Sequence, residues 1–568
     1  MTKEDVLFRN IGAALRYNLL MPVTNSTPSN ASLRSSKGLS GRRVLPIDAD
    51  GYALAIVFFG FWLRTWLAHA TFFNADEAWH YATAIQSSLR EAWHASLSLY
   101  HPPLLVFVLY FWRKLGTSDV ILRLPCVISG TLFCWLYYKW LKLILGYQAA
   151  LVGVLLVTLL PTMIGISADL RQYPPMLMFV AAGAYFLEDA LQRDSWPQML
   201  RSGVSLLLGM LSHYSGFLVA ASLGLYVIVL AWRGRLSRRI FLAWIPAQLA
   251  GVALAGFFYV VQISKLAAAR GNESAKLMAN WYLPQFYYHP GHDNLLQFLF
   301  KGTFGIFRFT FAWVVIGHIA TLMFFAGLIL LLRRRNQEAR FTAVLLFSPF
   351  LVSWIAAAAG LYPYGRTRHS IFLAMFGIAG MTIAIEEVCR RRTGRMLAFA
   401  AGIVLLCHIS RAQPWLDMLP LADRRHELMD QAVQLIHTQV SPSDVIYVDK
   451  ATEFQVRRYL CGPEPITMDR SVSGFESFQC NGLRVISSFP KDDAVLASTF
   501  PEKWTEMAQA FGLSSGVKVW VVEGGWITGF AEMLRTRYPQ LPILDVHHFG
   551  HYLEIFDLPV SSANNGTR

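Results

Sequence analysis

The chain has 568 residues, of which 54% are hydrophobic and only 15% charged, against about 25% charged in an ordinary soluble domain. That deficit excludes a soluble globular protein for most of the length. The net charge of +14 does not mark a nucleic-acid binder, because residues 413–568 carry −6 and the rest +20, much of it in short bursts between apolar segments.

Residues 1–48 are polar and basic and carry no cleavable signal. A Ser/Asn/Thr-rich stretch runs from Thr24 to Ser40, so the segment reads as a flexible cytosolic tail. Phe8, Ile11, Leu15 and Leu19 are spaced for one short amphipathic turn on a membrane surface. From 49 to 412, apolar runs close to the roughly 20 residues that cross a bilayer recur, among them 52–70, 149–166, 241–263, 341–361 and 370–386. The fold class expected is an all-α polytopic membrane domain of about 10–12 transmembrane segments, followed by a C-terminal soluble α/β domain.

Three basic bursts set the topology. They are Arg233, Arg235, Arg238, Arg239; Arg333, Arg334, Arg335, Arg340; and Arg390, Arg391, Arg392, Arg395. A pair of spans separates each from the next, so all three lie inside, and a last span at 396–409 places the tail outside. The first span runs inside to outside. Residues 71–101 then form an outside loop, with Ala78, Ala82, Ile85 and Leu89 at helical spacing. The segment 102–112 is read as dipping in without crossing, because Lys139 and Lys142 place the end of the next span inside; that leaves Asp169 outside. A crossing at 102–112 would leave Asp169 inside. The run 203–232 is too long for one span and breaks at His213-Tyr214-Ser215-Gly216. Arg64, within the first span, is read as able to snorkel outward.

The domains expected are therefore a cytosolic tail at 1–48, a membrane domain at 49–412 and an outside domain at 413–568. In the last, 445–448, 484–487 and 517–523 read as buried strands. Residues 428–437 and 527–535 read as helices, and 541–557 as a hairpin. Cys126, Cys134, Cys389 and Cys407 lie in or beside apolar segments and read as core residues. Cys461 and Cys480 can pair if the tail faces an oxidising compartment, though spacing alone equally allows two free thiols. No CxxC occurs, so a zinc knuckle has no support.

Charged residues at a membrane edge are costly and mark function. Three clusters stand out. The first is Asp76-Glu77, just after the first span, which helix-start acids alone would also explain. The second is Ser167-Ala168-Asp169-Leu170-Arg171-Gln172-Tyr173-Pro174-Pro175, at the junction of two spans, which taken alone reads as a surface ion pair at a helix end with Tyr173 in the interfacial belt. The third is Tyr362-Pro363-Tyr364-Gly365-Arg366-Thr367-Arg368-His369, whose outside arginines run against the charge rule and suit a phosphate. His101-Pro102-Pro103-Leu104 and His213-Tyr214 are weaker, since a lone histidine at a span end is usually structural. No Walker loop, HExxH or Ser-His-Asp order is present.

In this order the pieces resemble bacterial membrane glycosyltransferases of the GT-C class, close to family 39. That group includes protein O-mannosyltransferases, aminoarabinose transferases and lipid-linked sugar transferases of envelope polysaccharides. The motifs are Asp76-Glu77, His101-Pro102-Pro103-Leu104, Arg123-Leu124-Pro125, Ser167-Ala168-Asp169-Leu170-Arg171-Gln172-Tyr173, Leu211-Ser212-His213-Tyr214 and Arg368-His369, over residues 52–390. His369 departs from the tyrosine common in relatives, and no named domain matches the tail. The resemblance implies inverting transfer of a hexose or pentose from a polyprenyl-phosphate donor to a periplasmic or lipid-linked acceptor hydroxyl. The acceptor would be a glycan, lipid or protein. The chain would then be an inner-membrane, multi-pass protein, with its N-terminus cytoplasmic and its tail periplasmic. Asp76 would be the catalytic base with Glu77 beside it. Asp169, Arg171, Tyr173, His101, His213, Tyr214, Arg366 and Arg368 would bind substrate. No cofactor is required, and the residues leave open whether a divalent metal takes part. The alternative is a membrane transporter or lipid flippase, which would want polar residues at mid-bilayer and inverted repeats.

Overall fold

The structure, a computed structural model, describes residues 49–265, 284–411, 423–462, 469–472, 474–488, 493–524 and 529–560. The expected tail at 1–48 and the junction at 412–413 lie outside the described residues. Eight described helices are long and apolar enough to cross a membrane, or nine if the bent pair Tyr147–Leu159 and Pro161–Ala168 counts as one span. Tyr173–Arg193 and Trp196–Ser212 narrowly miss that standard: the first carries Glu188 and Asp189, and the second has 17 residues. They pack as a hairpin whose first helix lies along Asp119–Leu145. The protein is a multi-pass membrane protein.

The spans pack through small residues, as helices in lipid do. Gly327 is the tightest case: a Cβ there would lie 2.0 Å from the Gly380 carbonyl oxygen on the neighbouring helix. Lipid-facing sides keep large apolar residues exposed, such as Phe58, Trp62, Leu249 and Val252.

Arg64 corrects the expectation of snorkelling. It is 1% exposed and points into the bundle. Pro161 has no N–H for the Val157 carbonyl, and the chain bends there by 58°. Arg64 fills the gap, donating to the Thr158 oxygen at 3.0 Å, the Val157 oxygen at 3.3 Å and the Gly60 oxygen at 3.0 Å. A guanidinium thereby serves carbonyls that the proline-broken helix leaves open.

Contacts sort the span ends into two sets. One set holds the basic bursts, with Lys142 on Asp50 at 2.6 Å, Gln148 on the Arg391 oxygen at 3.1 Å and Arg235 on Glu338 at 3.2 Å. The opposite set holds Asp76, Arg171, His213 and Arg368. Three short helices build up this second end: Ala75–Ala84, Leu89–Ser96 and Leu104–Trp112. The periodic stripe expected through Leu89 is interrupted, because Ser88 caps a new helix and Leu89 is exposed. Leu104–Trp112 has nine residues, about 14 Å at 1.5 Å per residue, less than half of a roughly 30 Å hydrocarbon core. Its Leu105, Val106 and Leu109 pack with Tyr81 and Ile85 of the first short helix region. The segment does not cross, so Asp169 shares an end with Asp76.

The tail folds around a seven-stranded sheet of order β2-β3-β4-β1-β5-β7-β6. The strands are β1 Val445–Asp449, β2 Arg470–Val472, β3 Phe475–Cys480, β4 Leu483–Ser488, β5 Lys518–Glu523, β6 Leu544–Phe549 and β7 Leu553–Pro559. β4, β1 and β5 run parallel at the centre, and the flanking pairs are antiparallel. The central strands read as continuous apolar runs because both faces are covered. Helices Arg425–Gln439, Lys450–Tyr459, Asp493–Phe511 and Phe530–Arg537 do the covering. Cys461 and Cys480 form a disulfide. The four cysteines of the membrane domain are buried and free.

Candidate active site

Asp76 and Glu77 sit in the first turn of Ala75–Ala84, which Asn74 caps in a reciprocal box with Glu77. Neighbours in sequence, they point to different partners. Both oxygens of Glu77 are taken up in a buried knot. Arg123 Nε and Nη2 each donate at 2.7 Å, the Leu170 N–H at 2.6 Å and the Asn74 N–H at 3.0 Å. Arg123 also donates to the carbonyls of Ala68, Thr71 and Phe72. Glu77 is fully buried and fully paired, and it ties the first span, the helix from Asp119 and the loop at Leu170 together.

Asp76 faces the other way. Its Oδ2 takes Arg171 Nη1 at 2.7 Å and Arg368 Nη2 at 2.8 Å. Burial raises its pKa, but the two guanidiniums outweigh burial and hold the carboxyl well below the usual range. Arg171 is 5% exposed, and its Nε has no partner among the described residues. Arg368 is half-buried. Arg366 is exposed and makes no ion pair among the described residues, so of the two arginines in that loop only Arg368 reaches Asp76.

An aromatic cluster adjoins the carboxylate. His101 and His213 ring centroids lie 5.1 Å apart, His213 and Tyr173 4.9 Å, His213 and His369 5.5 Å, and His80 and His101 5.9 Å. His80 Nδ1 lies 2.7 Å from the Asp76 carbonyl, which can only accept, so this nitrogen carries the proton. His213 Nδ1 accepts from the Ser215 N–H at 3.0 Å, which puts the neutral ring's proton on Nε2. Burial, then the charge of Arg171, holds His80 down to about 4. Burial, then neighbouring imidazoles and Arg171, holds His101 and His213 well below their ordinary value. These rings are uncharged at neutral pH. Among the described residues His101 Nδ1 and His213 Nε2 are buried without a partner, a capacity that suits a polar ligand.

Asp169 is half-buried at the end of Pro161–Ala168. Burial, then the charge of Glu77, pushes it up to about 6. Tyr214 points toward Gln262. Its hydroxyl donates to Gln262, whose amide donates to the Leu99 carbonyl at 2.6 Å, so Tyr214 braces the outer helices instead of joining the cluster. Sequence reasoning missed the roles of His80, His369 and Arg123. His80 lies four residues after Asp76 on the same helical face, a spacing that was available. Among the described residues, no three His, Cys, Asp or Glu side chains are grouped to hold a metal ion.

Residues 100–261 match the dolichyl-phosphate-mannose-protein mannosyltransferase family. No curated protein sequence matches the chain. Among solved structures, ArnT from Cupriavidus metallidurans bound to undecaprenyl phosphate aligns with a TM-score of 0.51 at 11% identity, covering 92% of this chain and 100% of that one. The same protein in its apo state aligns at 0.50 and 13% identity, covering 90% and 98%. At such identities the likeness shows the fold, and it takes in part of the tail as well as the membrane domain. The chain is similar to GT-C membrane glycosyltransferases near family 39, as its motifs imply.

Proposed function

We propose that this chain transfers a sugar, with inversion, from a polyprenyl-phosphate donor to an acceptor hydroxyl at the membrane face that carries Asp76. The observation that carries this reading is one buried carboxylate held between two arginines, Arg171 and Arg368, at 2.7 and 2.8 Å. The acceptor oxygen attacks the anomeric carbon while the bond from that carbon to the phosphate oxygen breaks. Asp76 takes the hydroxyl proton, and the departing lipid phosphate keeps the bonding electrons. Its growing charge needs fixed positive groups, which the two guanidiniums supply.

The same guanidiniums depress the basicity of Asp76. A phosphate that enters between them shares their charge, and the carboxylate becomes a better base when it is needed. The uncharged imidazoles of His101 and His213 can donate to and accept from sugar hydroxyls without repelling the arginines. The family match and the fold support a lipid-phosphate donor, because a polyprenyl phosphate features in both names. The basic bursts support a reading in which Asp76 and the tail lie on the outer side, the periplasm of an inner-membrane protein. The acceptor is a glycan, lipid or protein hydroxyl there.

The test is turnover of purified protein with a polyprenyl-phosphate hexose or pentose and an envelope-fraction acceptor. Wild type should release polyprenyl phosphate and glycosylate the acceptor with inverted configuration, and Asp76→Asn should not. Movement of the intact donor across a vesicle without transfer would establish the flippase reading instead.

A further inference from the structure

The tail domain grips the segment that leads into Asp76. Phe72, the second residue after the first span, belongs to the tail's own core with Met429, Val456, Val522 and Leu553. The next peptide is held from both sides by helix Lys450–Tyr459. The Phe73 N–H donates to the Tyr459 hydroxyl at 2.6 Å, and Gln455 Nε2 donates to the Phe73 carbonyl at 3.0 Å. Trp79, on the helix of Asp76, stacks on Phe454 with centroids 5.9 Å apart. Arg458 binds Asp119 at 2.7 Å, and the Tyr459 hydroxyl donates to the same carboxylate. Asp119 opens the helix whose Arg123 holds Glu77. Gln455 also lies beside Gly524, at the carboxyl end of β5, where a Cβ would come within 3.1 Å of its Oε1. Open α/β sheets usually offer that edge to a ligand; here it faces residues 72–74 of the same chain.

We infer that Tyr459 and Gln455 are positioning residues for Asp76: the tail clamps the 72–74 segment and thereby fixes where the carboxylate stands between Arg171 and Arg368. This rests on Asp76 as the base. The physical reason is leverage. Asp76 follows the clamped peptide by three residues, and its helix is only ten residues long, too short to hold its place unaided. A shift of about 1 Å at a catalytic group can lower a rate by roughly a hundredfold. Donor affinity rests mainly on Arg171 and Arg368, which the clamp does not touch.

The experiment uses the full chain in nanodiscs, comparing wild type with Tyr459→Phe/Gln455→Ala. Hydrogen exchange of amides 73–81 is measured together with kcat and KM for a polyprenyl-phosphate sugar. The expected result is exchange about tenfold faster in 73–81, unchanged exchange in Phe372–Val388, kcat lowered by at least about tenfold, and donor KM unchanged or lowered, because a displaced Asp76 competes less for Arg171 and Arg368. Restoring Gln455 alone should recover part of both losses. Unchanged exchange in 73–81, or faster exchange with wild-type kcat, overturns the inference. So does a parallel fall of kcat and donor affinity, which would mark general damage. If wild type itself shows no turnover, the function proposed above fails, and the exchange measurement still decides whether the tail holds this segment.

Discussion

Asp76→Asn separates the two jobs assigned to this carboxylate. In the structure Asp76 is the counter-ion of Arg171 and Arg368, through contacts of 2.7 and 2.8 Å. A donor phosphate must draw those guanidiniums toward itself, and a hydrogen bond to a charged group is worth about 1.5–3 kcal/mol net. Forfeiting one such bond weakens donor binding by about tenfold or more, at 1.4 kcal/mol per tenfold. Asparagine keeps the size, but without the charge it competes for the arginines far less, and it takes no proton. The variant should bind polyprenyl phosphate about tenfold more tightly than wild type, while its turnover falls by about a hundredfold to ten-thousandfold. Affinity and rate move in opposite directions, which simple damage cannot produce. Binding is read by displacement of a fluorescent polyprenyl phosphate, and turnover on the same sample. Weaker phosphate binding by a folded Asp76→Asn would refute the competition, and wild-type turnover would refute the base.

Glu77→Gln should act on stability, because the change leaves Arg123 buried without its counter-charge. Breaking such a pair typically costs about 3–5 kcal/mol, read as a lowered thermal midpoint of the detergent-solubilised protein, and an unchanged midpoint would contradict the buried knot. Arg171→Lys keeps the charge but loses the fork, so donor affinity should fall without loss of fold, as a titration with polyprenyl phosphate will show. Asp169 has a raised folded pKa of about 6, so the folded state binds more protons than the unfolded one between the ordinary carboxylate value and 6. Its contribution therefore falls as pH rises through that window, and Asp169→Asn should raise the thermal midpoint at pH 8 more than at pH 4. Replacing Cys480 with Ala should cost about 3 kcal/mol in the loop-entropy account, and intact-mass measurement after alkylation without reduction should find neither Cys461 nor Cys480 labelled in the native protein.

Much of this was legible in one dimension, for identifiable reasons. Span positions and the sidedness expected from the basic bursts follow from the energy of placing polar groups in lipid, which each segment carries in its own composition. The central strands of the tail were readable because a strand covered on both faces must be apolar throughout. Asp76, Arg171 and Arg368 stood out singly because charge at a span end is expensive and therefore informative. What each charge pairs with was beyond reach. Arg368 meets Asp76 across 292 positions, and adjacent Asp76 and Glu77 diverge because successive helical residues point about 100° apart. Only the packed bundle decides that Glu77 is walled in by Arg123 while Asp76 opens on the histidines. Arg64 likewise looked free to snorkel until the bend at Pro161 supplied the carbonyls it serves. The tail's grip on Phe72 and Phe73 is tertiary in the same sense: its strands announce a sheet, but nothing along the chain says which of its edges meets the membrane domain.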